Sequence, residues 1–301
     1  MAIDVDKFGD ERIYRTEASC TQVLEDLEVL RKLDAQHEKL ESRTNNLGCG
    51  TLIAAVAAFI AVLNLDPGEH PTLHEVALGG GVLLAVTGII AFVLRSQYKR
   101  LNLENRRYTL ATRLVRMLQA DTEPTEPFTL ELDLRPGTHA DKLIGERKTP
   151  SGWDEKSYVD RWLSVQGRLL DGTHLRLEMT ERINERSRTK RSSSGKYKTK
   201  RKTRSDAFVR VRLRVKPEKY QHLGRLGARA RDAVRLPSGT RLESLTVEED
   251  RLDMTVLVKD AWGVDRDPTP VNATQVVAMS LLSLYQLLNL SRAIDKKASN
   301  A

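Results

Sequence analysis

One stretch of the sequence concentrates side chains that could bind an anionic partner. Residues 182–204 contain eleven lysines or arginines and a single acid, Glu185, so their net charge is +10, whereas the whole chain carries +8. The basic character of the protein is therefore local, and the rest of the chain is slightly acidic. We call this stretch the basic segment, and its cations are Arg182, Arg186, Arg188, Lys190, Arg191, Lys196, Lys198, Lys200, Arg201, Lys202 and Arg204.

Three interpretations of the basic segment remain open. Anionic lipid of the cytoplasmic leaflet attracts each nearby lysine or arginine by about 1 kcal/mol. Nucleic acid would release counterions from its phosphates, but only Tyr197 could stack on a base and no recognised motif accompanies it. The third interpretation is a solvated charge run, or a contact with an acidic surface of the same protein. Because the segment holds almost nothing to bury, we expect a mobile hairpin tip or a disordered loop.

The sequence contains no pattern typical of catalysis or metal binding. His70 and His74 are four residues apart, but Pro71 lies between them and no third ligand is placed. Nucleophile-elbow, phosphate-loop, dinucleotide and zinc-protease motifs are missing, and the two cysteines, Cys20 and Cys49, are expected to be structural thiols. We therefore expect no enzymatic activity, no cofactor and no bound metal.

Two apolar stretches indicate an integral membrane protein. Residues 47–65 and 76–94 are each free of charged side chains, and at about 1.5 Å per residue each reaches ~28 Å, close to the thickness of a bilayer core. The short gap, residues 66–75, holds three acids and no lysine or arginine, whereas basic residues follow the second stretch. By the positive-inside rule, the two helices form a hairpin with both termini in the cytoplasm. A bacterial inner membrane is the expected location.

Small residues recur at four-residue spacing within both apolar stretches. Such stripes let helices approach closely in lipid, either within the hairpin or between copies, so we expect a homo-oligomer. The predicted packing residues are Gly50, Ala54 and Ala58 in the first stretch and Ala77, Gly81 and Ala85 in the second.

Helical segments flank the apolar stretches. Residues 1–46 are predicted to form a cytoplasmic N-terminal helix, and residues 95–120 to continue the second apolar helix. Apolar residues at seven-residue spacing favour a short coiled-coil stalk, and the alternative is a pair of ordinary amphipathic helices packed on the soluble domain. The two prolines within residues 121–127 end the helix and form a linker.

Residues 128–301 are predicted to form an α+β cytoplasmic domain built on a mainly antiparallel sheet. Apolar and polar residues alternate from Phe128 onward, as in a half-buried strand. Residues 136–160 are expected to form a loop and residues 217–234 an amphipathic helix. The closing helix has too short an uncharged stretch to span a bilayer, so we expect it to pack in the core or to form a contact between copies.

These features support two hypotheses about function. The first is a membrane-anchored, non-catalytic binding or scaffolding protein whose cytoplasmic domain contacts anionic lipid or a protein partner. The second is an oligomeric channel or pore-forming effector gated by the soluble domain. The apolar stretches contain no Asp, Glu, Lys, Arg or His, which argues against a proton relay or an ion-coupled transport site.

Overall fold

The structure is a computed structural model, and it describes residues 8–9, 11–64, 70–192, 195–227, 229–259, 261–264 and 271–299. The chain forms two compact units. Residues Glu28–Asn105 make up the first, which we call the helical unit, and Met1–Leu27 with Arg106–Ala301 make up the second, which we call the sheet unit.

The described residues contain five α-helices and ten strands, numbered here in chain order. The helices are α1 (Cys20–Asn64), α2 (Pro71–Leu101), α3 (Asn105–Gln119), α4 (Ala230–Ala233) and α5 (Ala273–Ser299). The strands are β1 (Ile13–Ala18), β2 (Phe128–Asp133), β3 (Leu143–Lys148), β4 (Asp154–Arg168), β5 (His174–Arg191), β6 (Tyr197–Arg214), β7 (Thr240–Val247), β8 (Arg251–Val258), β9 (Trp262–Gly263) and β10 (Val271–Asn272).

The helical unit is built from α1 and α2, whose apolar side chains are mostly exposed. Ile53, Leu63 and Val76 are 72%, 84% and 71% exposed, and exposed apolar surface on this scale marks a contact with lipid or protein. Three described helices, α1, α2 and α5, are long and apolar enough to cross a membrane by length and composition. Half of the apolar window of α5 is nevertheless buried, in agreement with the core helix expected from its short uncharged stretch. Residues 65–69 of the predicted outer loop lie outside the described part of the chain.

The second apolar helix does not continue unbroken toward the sheet unit, as the sequence had suggested. α2 ends before Asn102, which adopts an extended conformation with ψ of 125°, and α3 begins at Asn105. The Asp34 carboxylate accepts a hydrogen bond of 2.8 Å from the backbone N–H of Leu103, and the Asn105 side chain donates one of 2.9 Å to Glu38. Acidic side chains of α1 therefore hold the turn between α2 and α3, and a continuous coiled-coil stalk is not formed on this side.

The sheet unit confirms the predicted antiparallel sheet. Seven strands are ordered β1-β2-β4-β5-β6-β8-β7, and β3 pairs with the N-terminal part of β4. Every neighbouring pair in this sheet is antiparallel. One face, which we call the inner face, is covered by α3 and α5. Leu130, Leu177 and Val211 on this face are fully buried, as are Leu110 of α3 and Leu284 of α5.

The first strand lies where the sequence predicted helix. Residues Ile13–Ala18 pair with β2 along its whole length, and α1 starts only at Cys20. Ile13, Tyr14 and Thr16 favour extended structure, and the buried Tyr14 hydroxyl donates a 2.7 Å hydrogen bond to Asp26. The N-terminal residues thus complete the sheet.

Two further segments differ from the sequence predictions. The expected loop at residues 136–160 contains β3 and the start of β4. The expected helix at residues 217–234 is broken into two 3₁₀ turns and the four-residue α4, since Gly224 and Gly227 weaken a continuous helix. Leu223 and Leu226 are nevertheless buried, so the apolar pattern was correct and the backbone conformation was not.

Candidate functional site

The strand register of β5 and β6 separates their side chains into two sets. Directly paired residues of antiparallel strands point to the same face, and successive residues of a strand point to opposite faces. Leu177 pairs with Val211 and both are buried on the inner face, whereas Glu178 pairs with Arg210 on the opposite face. We call this opposite face the outer face.

The basic segment forms the continuation of β5 and β6, which agrees with the hairpin considered from the sequence and not with the disordered loop. Its residues pair without interruption as far as Arg191 and Tyr197. Gly195 adopts a left-handed φ of +78° in the connecting turn, and Ser193 and Ser194 lie outside the described residues. The alternation of Ser and Thr with Lys and Arg suits a strand exposed on both sides. Eight of the eleven cations fall on the outer face: Arg182, Arg186, Arg188, Lys190, Lys198, Lys200, Lys202 and Arg204.

Six of these outer-face cations form three directly opposed pairs of like charge. Arg186 pairs with Lys202, and Lys190 with Lys198. Between them Arg188 pairs with Lys200. Like charges directly opposite on a sheet destabilise the strand pairing. The hairpin therefore tolerates an electrostatic cost that an anionic partner would remove.

Among the described residues, acidic side chains pair with the basic segment at the end farthest from its turn. The Glu155 carboxylate contacts Arg147 and Arg186, at 2.8 Å each. The hydrogen bond from Arg147, with the charge and hydrogen bond of Arg186, lowers the pKa of Glu155 below its usual value. Nearer the tip, Lys190 and Lys198 form no ion pair with any described residue.

Three predicted binding residues do not join the outer-face cations. Arg191 pairs with Tyr197, and Arg201 pairs with Ser187, so both arginines point to the other face of the hairpin. Lys196 lies in the turn, where its carbonyl accepts a hydrogen bond from Ser192. These residues provide a natural comparison, because they carry the same charge on the same hairpin but at different positions.

A groove of about 730 Å³ adjoins the basic segment on the outer face. Its floor consists of the central parts of β4, β5 and β6, whose long side chains form its walls. Five arginines and two glutamates line it together with hydroxyl, amide and aromatic groups. The lining residues are Glu131, Val159, Arg161, Leu163, Ser164, Gln166, Arg176, Glu178, Thr180, Arg182, Phe208, Arg210, Arg212 and Thr255.

The inner face carries a buried ion network that the sequence analysis missed. Arg107, in the first turn of α3, is 1% exposed, and its Nη2 atom lies 2.6 Å from Asp160 and 3.0 Å from Glu181. Its Nη1 atom donates to the backbone carbonyl of Asp133 at 3.1 Å. Lys142 contacts the other oxygen of Asp160 at 2.7 Å. The charges are matched within the core, as buried ions require.

Two tryptophan rings cover this network. Trp162 and Trp262 stack with centroids 5.5 Å apart and planes 1° apart. The guanidinium of Arg106 lies 4.3 Å from the ring centroid of Trp262, and the Trp262 Nε1–H donates a 2.7 Å hydrogen bond to Glu181. In the sequence, the one signal of this network is the pair of adjacent arginines at the start of a predicted helix. The residues that these arginines contact come from distant strands. The network fixes the start of α3 on the sheet.

Burial and hydrogen bonding act in opposite directions on Asp133, at the edge of the network. Burial disfavours the charged form, but hydrogen bonds from the Arg135 side chain and backbone, with the charges of Lys142 and Arg135, outweigh it. The pKa of Asp133 is therefore below its usual value, and that of Arg135 is raised.

The predicted helix-packing residues fall into two groups within the helical unit. Gly81 is buried against α1, where a Cβ atom would lie 3.3 Å from Ala58. Ala77 and Ala85 are half-buried on the same side. Gly50 has no atom within 4 Å of its Cβ position, and, like it, Ala54 is exposed, so these two residues face away from α2. Packing between copies through the outward positions stays a prediction.

The remaining candidates for chemistry are scattered. Within the described ranges no group of three or more histidine, cysteine or acidic side chains is placed to hold a metal ion. Cys20 is buried, and burial raises the pKa of its thiol, while Cys49 is exposed on α1. His70, at the start of α2, is exposed.

Comparison with known proteins identifies no relative. No protein-family model, no curated protein and no solved structure matches this chain.

Proposed function

We propose that this chain is a membrane-anchored, non-catalytic binding protein whose basic segment contacts the anionic headgroups of the cytoplasmic leaflet. α1 and α2 cross the bilayer as a hairpin with both termini in the cytoplasm, in keeping with the acidic loop and basic flanks. The sheet unit is joined directly to these helices by the chain, so its concentration at the membrane surface is high without any other attraction.

The observation that carries this proposal is the set of opposed like charges on the outer face of the hairpin. Arg188 with Lys200 and Lys190 with Lys198 are direct cross-strand pairs that lack acidic partners among the described residues. Cations that served only solubility would gain nothing from this placement, because positions that are not directly opposite each other would avoid the repulsion between the paired charges. A planar anionic surface, in contrast, can contact all the cations of a one-sided array at the same time.

The one-sided array also favours lipid over nucleic acid. The other face of the hairpin presents hydroxyl residues such as Thr199 and Thr203, each placed opposite Thr189 or Glu185. Tyr197, 74% exposed, is the single aromatic ring of the segment that could stack on a base. A membrane-tethered domain meets anionic lipid continuously, with each basic residue near the surface contributing about 1 kcal/mol.

Hydrogen–deuterium exchange of the full-length protein in nanodiscs tests the proposal. One set of nanodiscs contains phosphatidylcholine only, and the second also contains phosphatidylserine. We expect phosphatidylserine to slow amide exchange in the basic segment and to leave exchange in β7 and β8 unchanged. Added salt should reverse the effect, since the attraction is screened within a Debye length.

Two charge-matched variants sharpen this test. Arg188→Gln with Lys200→Gln removes two outer-face charges, and Arg191→Gln with Arg201→Gln removes two charges from the other face of the same hairpin. We expect only the first variant to lose the protection conferred by phosphatidylserine. Equal losses, or no protection in the parent protein, would contradict lipid binding. Protection by added RNA or DNA in neutral nanodiscs would instead favour nucleic acid.

An oligomeric pore is the second candidate function, and the outward small residues favour it. Gly50, Gly79 and Gly80 have no atom within 4 Å of their Cβ positions, so a second copy could approach closely there. One hairpin cannot enclose a pore, so several copies are required. Native mass spectrometry in nanodiscs separates the possibilities: a monomer or dimer excludes an enclosed pore, and a ring of four or more copies makes ion flux the next measurement.

A further inference from the structure

The groove beside the basic segment has features of a ligand site that lipid anchoring does not require. Its volume of about 730 Å³ lies within the range of ~300–1,000 Å³ typical of small-molecule sites. It lies over the central strands β4, β5 and β6. β5 and β6 are paired on both sides along the groove, and β4 is paired with β5 there, so the strands form an ordered floor.

One end of the groove is cationic, and its two arginines, Arg161 and Arg182, form no ion pair among the described residues, although Asp206 lies opposite Arg182. Arg161 on β4 pairs with Thr180 on β5, and Thr180 pairs with Phe208 on β6, so these three side chains form one row across the floor. Arg182 follows Thr180 on the same face, and its guanidinium lies 4.6 Å from the centroid of the Phe208 ring. Arg161 forms no hydrogen bond or ion pair with any described residue. Two guanidinium groups and a hydroxyl group thus line the same end of the groove.

The other end of the groove is held in place by acidic side chains. Asp253 accepts hydrogen bonds from Arg210 at 2.7 Å and from Arg212 at 3.0 Å. Glu178 contacts Arg176 at 2.6 Å, and Glu131 also lines this part of the groove. The arginines here are already neutralised and oriented, and the carboxylates keep lone pairs available. This end therefore suits a ligand part with hydroxyl or amino groups.

We infer that the groove binds a free organic phosphate of about nucleotide size, with its phosphate at Arg161, Thr180 and Arg182 and its uncharged polar part toward Glu178. Guanidinium groups match phosphate oxygens with paired donors, and such charge-assisted hydrogen bonds are about twice as strong as neutral ones. The half-buried Phe208 ring, which the Arg182 guanidinium contacts, offers an apolar surface for a ring of the ligand.

A free phosphate fits the groove better than a lipid headgroup does. Acyl chains attached to a headgroup need an apolar exit, whereas the walls consist mainly of arginine, glutamate, serine and glutamine side chains. The groove shares Arg182 with the basic segment, but Arg161 lies outside that segment and the like-charge pairs lie outside the groove. Variants at Arg161 and at the like-charge pairs therefore separate the two sites.

Isothermal titration calorimetry of the full-length protein in phosphatidylcholine nanodiscs tests the site. ATP and pyrophosphate are the probes, and EDTA keeps metal ions from carrying the phosphates. We expect saturable one-to-one binding that is tighter for ATP, since its nucleoside contacts the rest of the groove. Absence of saturable binding by either probe at millimolar concentration would overturn the inference.

Three variants assign any binding to the groove. Arg161→Gln should weaken ATP binding by about tenfold or more, as expected for loss of a charge-assisted hydrogen bond. Arg116→Gln, which removes an exposed charge from α3, and the hairpin variant Arg188→Gln with Lys200→Gln should leave it unchanged. Similar weakening in all three would show general charge attraction and overturn the inference.

The source of the phosphate is tested separately. Nanodiscs that contain phosphatidylinositol bisphosphate present the same phosphate chemistry on a lipid. If these nanodiscs protect β4 and β5 at Arg161 and Thr180 while free ATP and pyrophosphate do not bind, the groove is a headgroup site and the inference of a free ligand fails. Absence of phosphatidylserine protection in the parent protein, together with intact ATP binding, would contradict the proposed function and leave the groove site standing.

Discussion

Replacing Arg107 by alanine should be among the most destabilising single substitutions in the sheet unit. Arg107 is almost fully buried and is the group that contacts both Asp160 and Glu181. Its removal leaves Asp160, which is 0% exposed, with Lys142 as its remaining cation. Breaking a buried ion pair by deleting one partner costs about 3–5 kcal/mol, mostly because the other charge stays buried without compensation.

This cost translates into a large shift in melting temperature. A domain of this size loses about 2–4 °C for each kcal/mol, so Arg107→Ala should lower the melting temperature by roughly 6–20 °C. Tryptophan fluorescence of the full-length protein is a suitable assay, because Trp162 and Trp262 stack beside the network and report directly on its disruption. Arg116→Ala, on the exposed side of α3, is the matched control and should change stability by less than about 0.5 kcal/mol.

The refuting result is a melting temperature for Arg107→Ala that is indistinguishable from that of Arg116→Ala. The charge balance of the core would then be unimportant, and α3 would be held on the sheet by its apolar residues alone, such as Leu110 and Leu114. Replacement of Arg107 by methionine together with Asp160 by leucine tests the reason for the loss. An apolar replacement of both partners should recover part of the stability, because no buried charge remains unpaired.

Three further predictions follow from other contacts. Trp262→Phe should destabilise the sheet unit by about 1.5–3 kcal/mol more than Trp162→Phe does. The reason is that Trp262 donates a hydrogen bond to the Glu181 carboxylate, whereas the buried Nε1 of Trp162 has no described partner. Thermal unfolding followed by circular dichroism measures the difference without depending on tryptophan fluorescence. The pKa of Asp133 is below its ordinary value in the folded protein. The stability that its carboxylate contributes is therefore complete above about pH 4 and is lost as the pH falls toward the folded pKa. In Asp133→Asn, the free energy of unfolding should depend less on pH in this acidic range. Gly88→Leu should disrupt the pairing of α1 and α2, since its Cβ would lie 2.9 Å from Leu52, whereas Gly50→Leu should affect only contacts between copies, as measured by native mass spectrometry.

The apolar and alternating patterns were sufficient to predict the element types of the larger part of the chain. The run from Phe128 alternates strictly, and its strand pairs at the predicted phase, with Leu130 and Leu132 fully buried. The long apolar helices could be predicted with equal ease, because a charge-free stretch of that length rarely forms anything other than a helix. These signals are local, so they can be read from neighbouring residues alone.

Elements that depend on distant partners could not be predicted. The strand Ile13–Ala18 precedes a long helix, and the sequence analysis predicted it to be part of that helix. Its extended conformation depends on pairing with β2, more than a hundred residues away. The ion network has the same property: Arg107 resembles any basic residue of an amphipathic helix until β4 and β5 place Asp160 and Glu181 beneath it. Sequence reasoning lacks the register that brings such groups together.

The basic segment shows how register changes a functional conclusion. As a sequence it is a charge run, and because it has little to bury it was expected to form either a mobile hairpin tip or a disordered loop. As a continuous hairpin it places eight cations on one face, opposite positions such as Ser187, Thr189 and Thr203 on the other. A solvated strand gains nothing from this separation and loses pairing energy to repulsion between Lys190 and Lys198. The asymmetry supports our proposal of an anionic partner on the outer face, and comparison of the equal-charge variants of the two faces tests that proposal.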